Sequence, residues 1–311
     1  MQDPLKIFSG TANPELAQEI CEQVGVPLGK AEISAYSNQN IFVQIGENVR
    51  ERDVFVVQPL WTPRSIVEMF IMLDSLRSAS ARRITAVIPY YSYARSDKKD
   101  MPRISIAARL LGDLLVTAGA NRILTMTLHS PQVQGFFSVP CDQLYAKPIL
   151  CDYFEARLDM ANAVALAADA GSAKRAGAYA QRLNIPLAFV DKRRVDDLHV
   201  EVRNVVGEVA GKDVIIFDDE IAAAGSLMET VKAIQNFQVR KIYAGATHGV
   251  LSGPAMERIR EMPIEEVVVT NTVPVPPEKR DSRVKVLSVA PLFAEAIKRI
   301  HTGESVSALF E

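Results

Sequence analysis

Asp218 and Asp219 follow an apolar run, Asp213-Val214-Ile215-Ile216-Phe217, and precede a small-residue stretch, Ala222-Ala223-Ala224-Gly225-Ser226, that opens a helical pattern over 226–236. Two adjacent carboxylates at the carboxyl end of a strand can accept hydrogen bonds from neighbouring hydroxyls or hold a Mg2+ complex. A helix start offers free backbone N–H groups and the positive end of the helix dipole, which together favour phosphate. An ordinary strand-to-helix turn with a solvated acidic pair is the alternative reading.

Four further segments carry chemistry-bearing side chains, three of them directly after apolar strand patterns. In Val190-Asp191-Lys192-Arg193-Arg194, continued extension sets Lys192 and Arg194 on one side and Arg193 on the other, so that two cations embrace a phosphate. A solvated basic turn is the bland counterpart. Leu128-His129-Ser130 brings a histidine suited to a metal or a phosphate, or simply a structural one. Tyr90 to Asp100 interleaves tyrosines with Arg95, Lys98 and Lys99, a pattern for stacking a base and neutralising phosphate, or for a surface loop. Asp169 precedes a glycine turn into a basic helix, which plain capping would also explain. Together these segments point to a phosphorylated sugar, a nucleotide and a divalent cation.

Such loops need a scaffold, and the pattern of the chain supplies one. Continuous β-rich apolar runs at 54–58, 84–88, 122–126, 186–190, 213–217, 241–246 and 266–269 read as strands buried on both faces, as in parallel sheets. Helical patterns at 65–79, 104–118 and 226–236 lie between them, and Asn13-Pro14 caps a first helix. The alternation predicts α/β architecture with mainly parallel sheets, arranged as two sheets of about five strands each. The expected domains are 1–145 and 146–290, with a last helix within 291–311 returning to the first. A chain of 311 residues is long enough for two cores.

A net charge of −2 argues against nucleic acid or an anionic membrane as the partner. The opening MQDPLKIFSG lacks the layout of a secretory signal, and no apolar run reaches membrane-spanning length. The three scattered cysteines, Cys21, Cys141 and Cys151, read as reduced thiols, so a cytoplasmic location is expected.

From KIFSG at 6–10 to GESVSALF at 303–310, the chain resembles the ribose-phosphate diphosphokinase (phosphoribosyl pyrophosphate synthetase) family. The likeness is carried by SASARRITAVIPYYSYAR (78–95), QGFF (134–137), VDKRR (190–194) and ATHGVLSG (246–253), in that order. It implies two similar phosphoribosyltransferase-like domains and transfer of the diphosphoryl group of ATP to O1 of ribose 5-phosphate, with Mg2+. It further implies catalytic roles for Lys192 and Arg194, metal association for His129 and Asp169, and ATP contacts from Asn38, Gln39, Asn40, Arg95 and Ser96. Asp218, Asp219 and Ala222, Ala223, Ala224, Gly225 and Ser226 would hold ribose 5-phosphate. A homo-oligomer, a hexamer built from dimers, is implied, with phosphate and ADP as effectors near Arg50, Ser78, Arg82, Ser305, Val306, Ser307 and Phe310.

The sequence departs from the common family pattern at these sites. Tyr36-Ser37-Asn38-Gln39-Asn40 stands for Phe-Ser-Asp-Gly-Glu, Ser96 for glutamine, Thr127 for an acid, and Asn48 for serine. Ala222-Ala223-Ala224-Gly225-Ser226 stands for Asp-Thr-x-Gly-Thr. One lost hydroxyl contact to a charged phosphate is worth about 1.5–3 kcal/mol, so altered affinity with retained chemistry is the expectation. A regulatory homologue that assembles with an active synthetase, and a phosphoribosyltransferase, are the alternatives.

Overall fold

The computed structural model describes residues 5–169, 171–194 and 200–309, and for 192–194 and 200–204 the backbone alone. The chain divides into two compact units, residues 1–145 with 288–311, and residues 146–287.

The first unit is built on a parallel five-stranded sheet in the order β1 (Lys6–Ser9), β4 (Asp53–Val57), β5 (Arg83–Ile88), β6 (Arg122–Met126) and β7 (Cys141–Leu144). A separate antiparallel hairpin joins β2 (Ala31–Ala35) to β3 (Ile41–Ile45). The helices are α1 (Pro14–Val24), α2 (Pro63–Ser78) and α3 (Ala107–Ala118), and the first two begin where the sequence provides starts. Asn13 caps α1 through Leu16 N with proline at the first position, and Thr62 and Ser65 form a reciprocal capping box on α2. The core includes Phe8, Val56, Met69, Leu73, Ile88 and Leu115, all buried.

The second unit holds a seven-stranded sheet, larger than the five strands expected. Its elements in chain order are α4 (Lys147–Glu155), β8 (Ala163–Ala167), α5 (Ala173–Leu183), β9 (Leu187–Arg194), β10 (Val200–Val206), β11 (Asp213–Ile221), α6 (Gly225–Gln235), β12 (Lys241–Gly249), α7 (Ala255–Glu261), β13 (Glu266–Thr270) and β14 (Val284–Leu287). The strand order is β10-β9-β8-β11-β12-β13-β14, parallel except for the β9–β10 pair. After β8 the chain builds toward one edge, and after β11 it builds toward the other. The two strands therefore flank a topological switch point, where α/β sheets open a crevice beyond their carboxyl ends. Val164, Leu166, Val214, Ile216, Val231 and Val267 form part of its core.

The last helix, α8 (Ala290–Thr302), belongs to the first unit. Its Lys298 donates to Gln23 O at the end of α1, and Ser288 before it donates to Glu19. His301 and Arg83 both hold Asp53, the first residue of β4, and Arg83 also donates to Ile300 O. No helix among the described residues is long and apolar enough to cross a membrane.

Candidate active site

The acidic pair stands at the switch point. β8 pairs with β11 only as far as the Leu166–Ile216 rung, whereas β12 accompanies β11 to Ile221. Asp218 and Asp219 thus lie inside a strand, not at its end as the apolar run had implied. They are placed just past the last β8 rung, where one flank of β11 opens. The Asp219 side chain is 4% exposed and that of Asp218 33% exposed.

Alternation along a strand would send adjacent side chains to opposite faces, yet both carboxylates converge on one nitrogen. Arg175 Nη1 donates to Asp218 Oδ1 at 2.7 Å and also to Asp219 Oδ1. The Asp219 amide donates to the same Asp218 oxygen at 2.9 Å. Burial and the neighbouring Asp219 push the Asp218 carboxyl up to about 7, while Arg175 pulls it down. One turn after Arg175, Tyr179 stacks on Phe217, with ring centroids 4.1 Å apart and planes 10° apart. This stack fixes α5 against the residue that precedes the pair.

The stretch after β11 is a tight turn into α6. Ala224 is its N-cap at φ +55°, without a side-chain cap bond. The carbonyls of Ile221, Ala222 and Ala223 are occupied by Leu251 N, Ser252 N and Arg258 Nη1, at 3.0, 2.9 and 2.8 Å. Met228 N donates to the Ala224 carbonyl, so the amides of Gly225, Ser226 and Leu227 precede the first intrahelical donor. A Cβ built on Gly225 would lie 3.2 Å from Arg258 Nη1, which shows how closely that arginine seals the turn. Backbone amides at a helix start have the chemistry to hold an anion, and the three alanines take nothing from that.

Asp169 follows β8 on the other side of the switch point. Its Oδ1 accepts from Ser172 N at 2.7 Å, and Ser172 Oγ donates to its carbonyl at 3.0 Å, so it shapes the entry to α5 while remaining exposed. β9 pairs with β8 only to Phe189, and beyond that rung it continues with β10 as an antiparallel ribbon through Arg194. The extended continuation expected for 190–194 is therefore present in the backbone. Lys192 pairs with Val202 and Arg194 with Val200, but the side chains of Lys192 and Arg194 lie outside the described residues.

In the first unit, Asn38, Gln39 and Asn40 form the exposed turn between β2 and β3. The turn closes as Tyr36 N donates to Asn40 O and Asn40 N donates to Asn38 Oδ1, with Gln39 at φ +69°. Arg95 is exposed on the loop after β5, where Ser96 N donates to Tyr93 O and Ser96 O accepts from Ala108 N. His129 is exposed after β6. Thr127, two residues before it, has φ +41°, a strained value for a β-branched residue. Arg50, Ser78, Arg82, Ser305 and Ser307 are exposed and Val306 is buried, while Phe310 lies outside the described residues. Backbone bonds tie the Arg50 turn to the segment of Arg82, through Glu51 N to Ser80 O and Arg82 N to Arg52 O. Ser305 O is held separately, by Arg299.

Arg175 and Arg258 are the residues that the sequence reading missed. Arg175 had a weak signal, a cation in the first turn of a basic helix. Arg258 had none, because it reaches its loop from a helix 35 residues further along the chain. The cysteine thiols are pushed up by burial, to about 11 for Cys21 and about 12 for Cys141 and Cys151, which leaves them inert.

Residues 5–119 match the family described as the N-terminal domain of ribose phosphate pyrophosphokinase, and residues 201–311 match the phosphoribosyl synthetase-associated domain. A ribose-phosphate pyrophosphokinase of Deinococcus radiodurans is 54% identical over 99% of this chain and 98% of the relative. The chain belongs to the ribose-phosphate pyrophosphokinase family. The family's enzyme from Caldanaerobacter subterraneus subsp. tengcongensis is 50% identical over 98% of both chains. The crystal structure of phosphoribosylpyrophosphate synthetase from Mycobacterium smegmatis superposes with a TM-score of 0.90 at 38% identity, covering 97% of this chain and 100% of that one. Membership in the pyrophosphokinase family makes this a kinase-type transferase of nucleotide biosynthesis. The phosphoribosyltransferase and non-catalytic readings are not favoured.

The family's phosphoryl-transfer chemistry is consistent with a metal cofactor. Among the described residues no three His, Cys, Asp or Glu side chains form a ready-made metal cage. Mg2+ is commonly held by one or two carboxylates plus substrate phosphates, and the exposed carboxylate of Asp169 fits that donor set.

Proposed function

We propose that this enzyme transfers the diphosphoryl group of ATP to O1 of ribose 5-phosphate, giving phosphoribosyl pyrophosphate and AMP. The observation that carries the reading is the acidic pair beside an amide-lined helix start at the switch point of the second sheet. Asp218 and Asp219 accept hydrogen bonds from the ribose hydroxyls. The amides of the 222–226 turn take the 5-phosphate, so that turn grips by backbone where relatives also have side chains.

Lys192 and Arg194, on the ribbon that continues past β8, neutralise charge developing around the β-phosphate. In such transfers positioning and electrostatic stabilisation supply most of the catalysis. Asn38, Gln39, Asn40, Arg95 and Ser96 contact ATP, with the turn amides reading the adenine edge. His129 and Asp169 associate with Mg2+, which when bound would screen the nucleotide phosphates. The working enzyme is a cytoplasmic homo-oligomer, a hexamer built from dimers, with phosphate and ADP acting near Arg50, Ser78, Arg82, Ser305, Val306, Ser307 and Phe310.

Incubation with ribose 5-phosphate and Mg-ATP, without any base, is expected to yield AMP in step with phosphoribosyl pyrophosphate. Hydrolysis of ATP to ADP alone, or turnover only when a base and phosphoribosyl pyrophosphate are supplied, would overturn the assignment.

A further inference from the structure

Arg175 has no assigned role, yet it makes the closest polar contacts to the pair proposed to hold the sugar. Its Nη1 touches Oδ1 of both Asp218 and Asp219, and its side chain is 29% exposed. The Asp219 amide also binds Asp218 Oδ1, so the arginine and the amide together fix the rotation of that carboxylate. The guanidinium is itself anchored by its helix, because Tyr179 on the next turn stacks on Phe217. Two like charges on neighbouring residues of a strand would otherwise repel and turn apart, and a shared cation prevents both.

We propose that Arg175 is a positioning residue for the sugar substrate, bracing Asp218 and Asp219 as a doubly charged, convergent acceptor for two hydroxyls. The brace is present before substrate arrives, so binding does not have to create it. Arginine suits the task because its charge is permanent and its planar fork holds a fixed geometry. A lysine supplies the charge without the fork. The proposal rests on the ribose-hydroxyl reading of the acidic pair.

The test is a steady-state comparison of the full-length enzyme with Arg175→Ala, Arg175→Lys and Asp218→Asn, varying ribose 5-phosphate and ATP separately. Arg175→Ala is expected to raise KM for ribose 5-phosphate roughly ten- to a hundredfold, the size of a lost charge-assisted contact. KM for ATP should stay within about twofold and kcat should change less than the sugar KM. Arg175→Lys should recover part of the sugar affinity. If Arg175→Ala is poorly folded by circular dichroism and thermal unfolding, Arg175→Lys alone decides, with a selective rise in sugar KM expected. The proposal is overturned if the folded Arg175 variants leave sugar KM unchanged, or if both KM values rise and kcat falls together as general damage. An unchanged sugar KM in Arg175 variants with a raised one in Asp218→Asn defeats the brace alone. An unchanged sugar KM in Asp218→Asn as well defeats the ribose reading with it.

Discussion

The two sheets of this enzyme differ in how they present their loops. In the seven-stranded sheet the chain reverses its direction of growth between β8 and β11, and the acidic pair emerges in the opening so formed. In the five-stranded sheet the strands follow one another without reversal. The proposed nucleotide contacts of that unit sit on the turn of the separate hairpin and on the loop after β5. Asp219 is buried and Asp218 half-buried, and the two are bridged by Arg175 and backed by a ring stack, while the Asn38–Asn40 turn is exposed and closed by local bonds. The contrast implies a preorganised sugar side and a more forgiving nucleotide side. It also implies that substitutions on the two sides carry very different costs.

The largest effect should come from the ribbon of the reversing sheet. Lys192→Ala is expected to cut kcat by roughly a hundredfold or more, with a much smaller change in KM for ATP. Equal losses in both would place the lysine in ground-state binding.

The acidic pair should come next, through its pH dependence. Asp218 is held above its ordinary value, to about 7, so the folded enzyme takes up a proton there as pH falls through neutrality. The doubly ionised pair is therefore present above about 7 and lost below it. kcat/KM for ribose 5-phosphate should rise with pH through that region, and Asp218→Asn should flatten the rise. Comparing the two enzymes cancels the ionisation of the substrate's own phosphate. An identical slope in both would mean that the pair does not govern sugar capture.

The smallest effect belongs to the exposed turn. Asn38→Asp with Asn40→Glu, which restores the acids common in relatives, should change KM for ATP by about tenfold at most, the scale of one neutral hydrogen bond exchanged for a charged one. A larger change would show that the nucleotide side is as tightly built as the sugar side and would erase the comparison.

Strands with continuous apolar character were legible in the sequence, because burial on both faces leaves no alternation to confuse. β4, β5, β6, β9, β11, β12 and β13 fall in this class, and the resemblance located the family segments across the whole chain. β8 (AVALA) escaped although it is buried throughout, because its alanines suit a helix as well as a strand, and β1, β7 and β14 are only four residues long. The rest of what escaped was polar or long-range. β2 and β3 are short and largely uncovered, and β10 (VEVRNVV) is too polar to announce itself. β11 runs on through its acids to Ile221 because β12 supplies rungs there, a partner that no local pattern reveals. The same holds for the site. Asp218 and Asp219 were visible as a pair, but Arg175 reaches Asp218 across 43 residues, a contact created by topology. The loop of three alanines looked depleted in sequence, whereas the N–H groups without an intrahelical acceptor at its helix start become apparent once Ala224 is seen as the cap.

The central claim is that the pair recognises sugar hydroxyls, and substrate discrimination tests it most directly. The measurement is the ratio of kcat/KM for ribose 5-phosphate over 2-deoxyribose 5-phosphate, in the wild type and in the double variant Asp218→Asn, Asp219→Asn. The account predicts a wild-type preference of roughly tenfold to a hundredfold, the scale of one charged hydrogen bond, that collapses toward unity in the double variant. A preference retained in full without the two charges would contradict it.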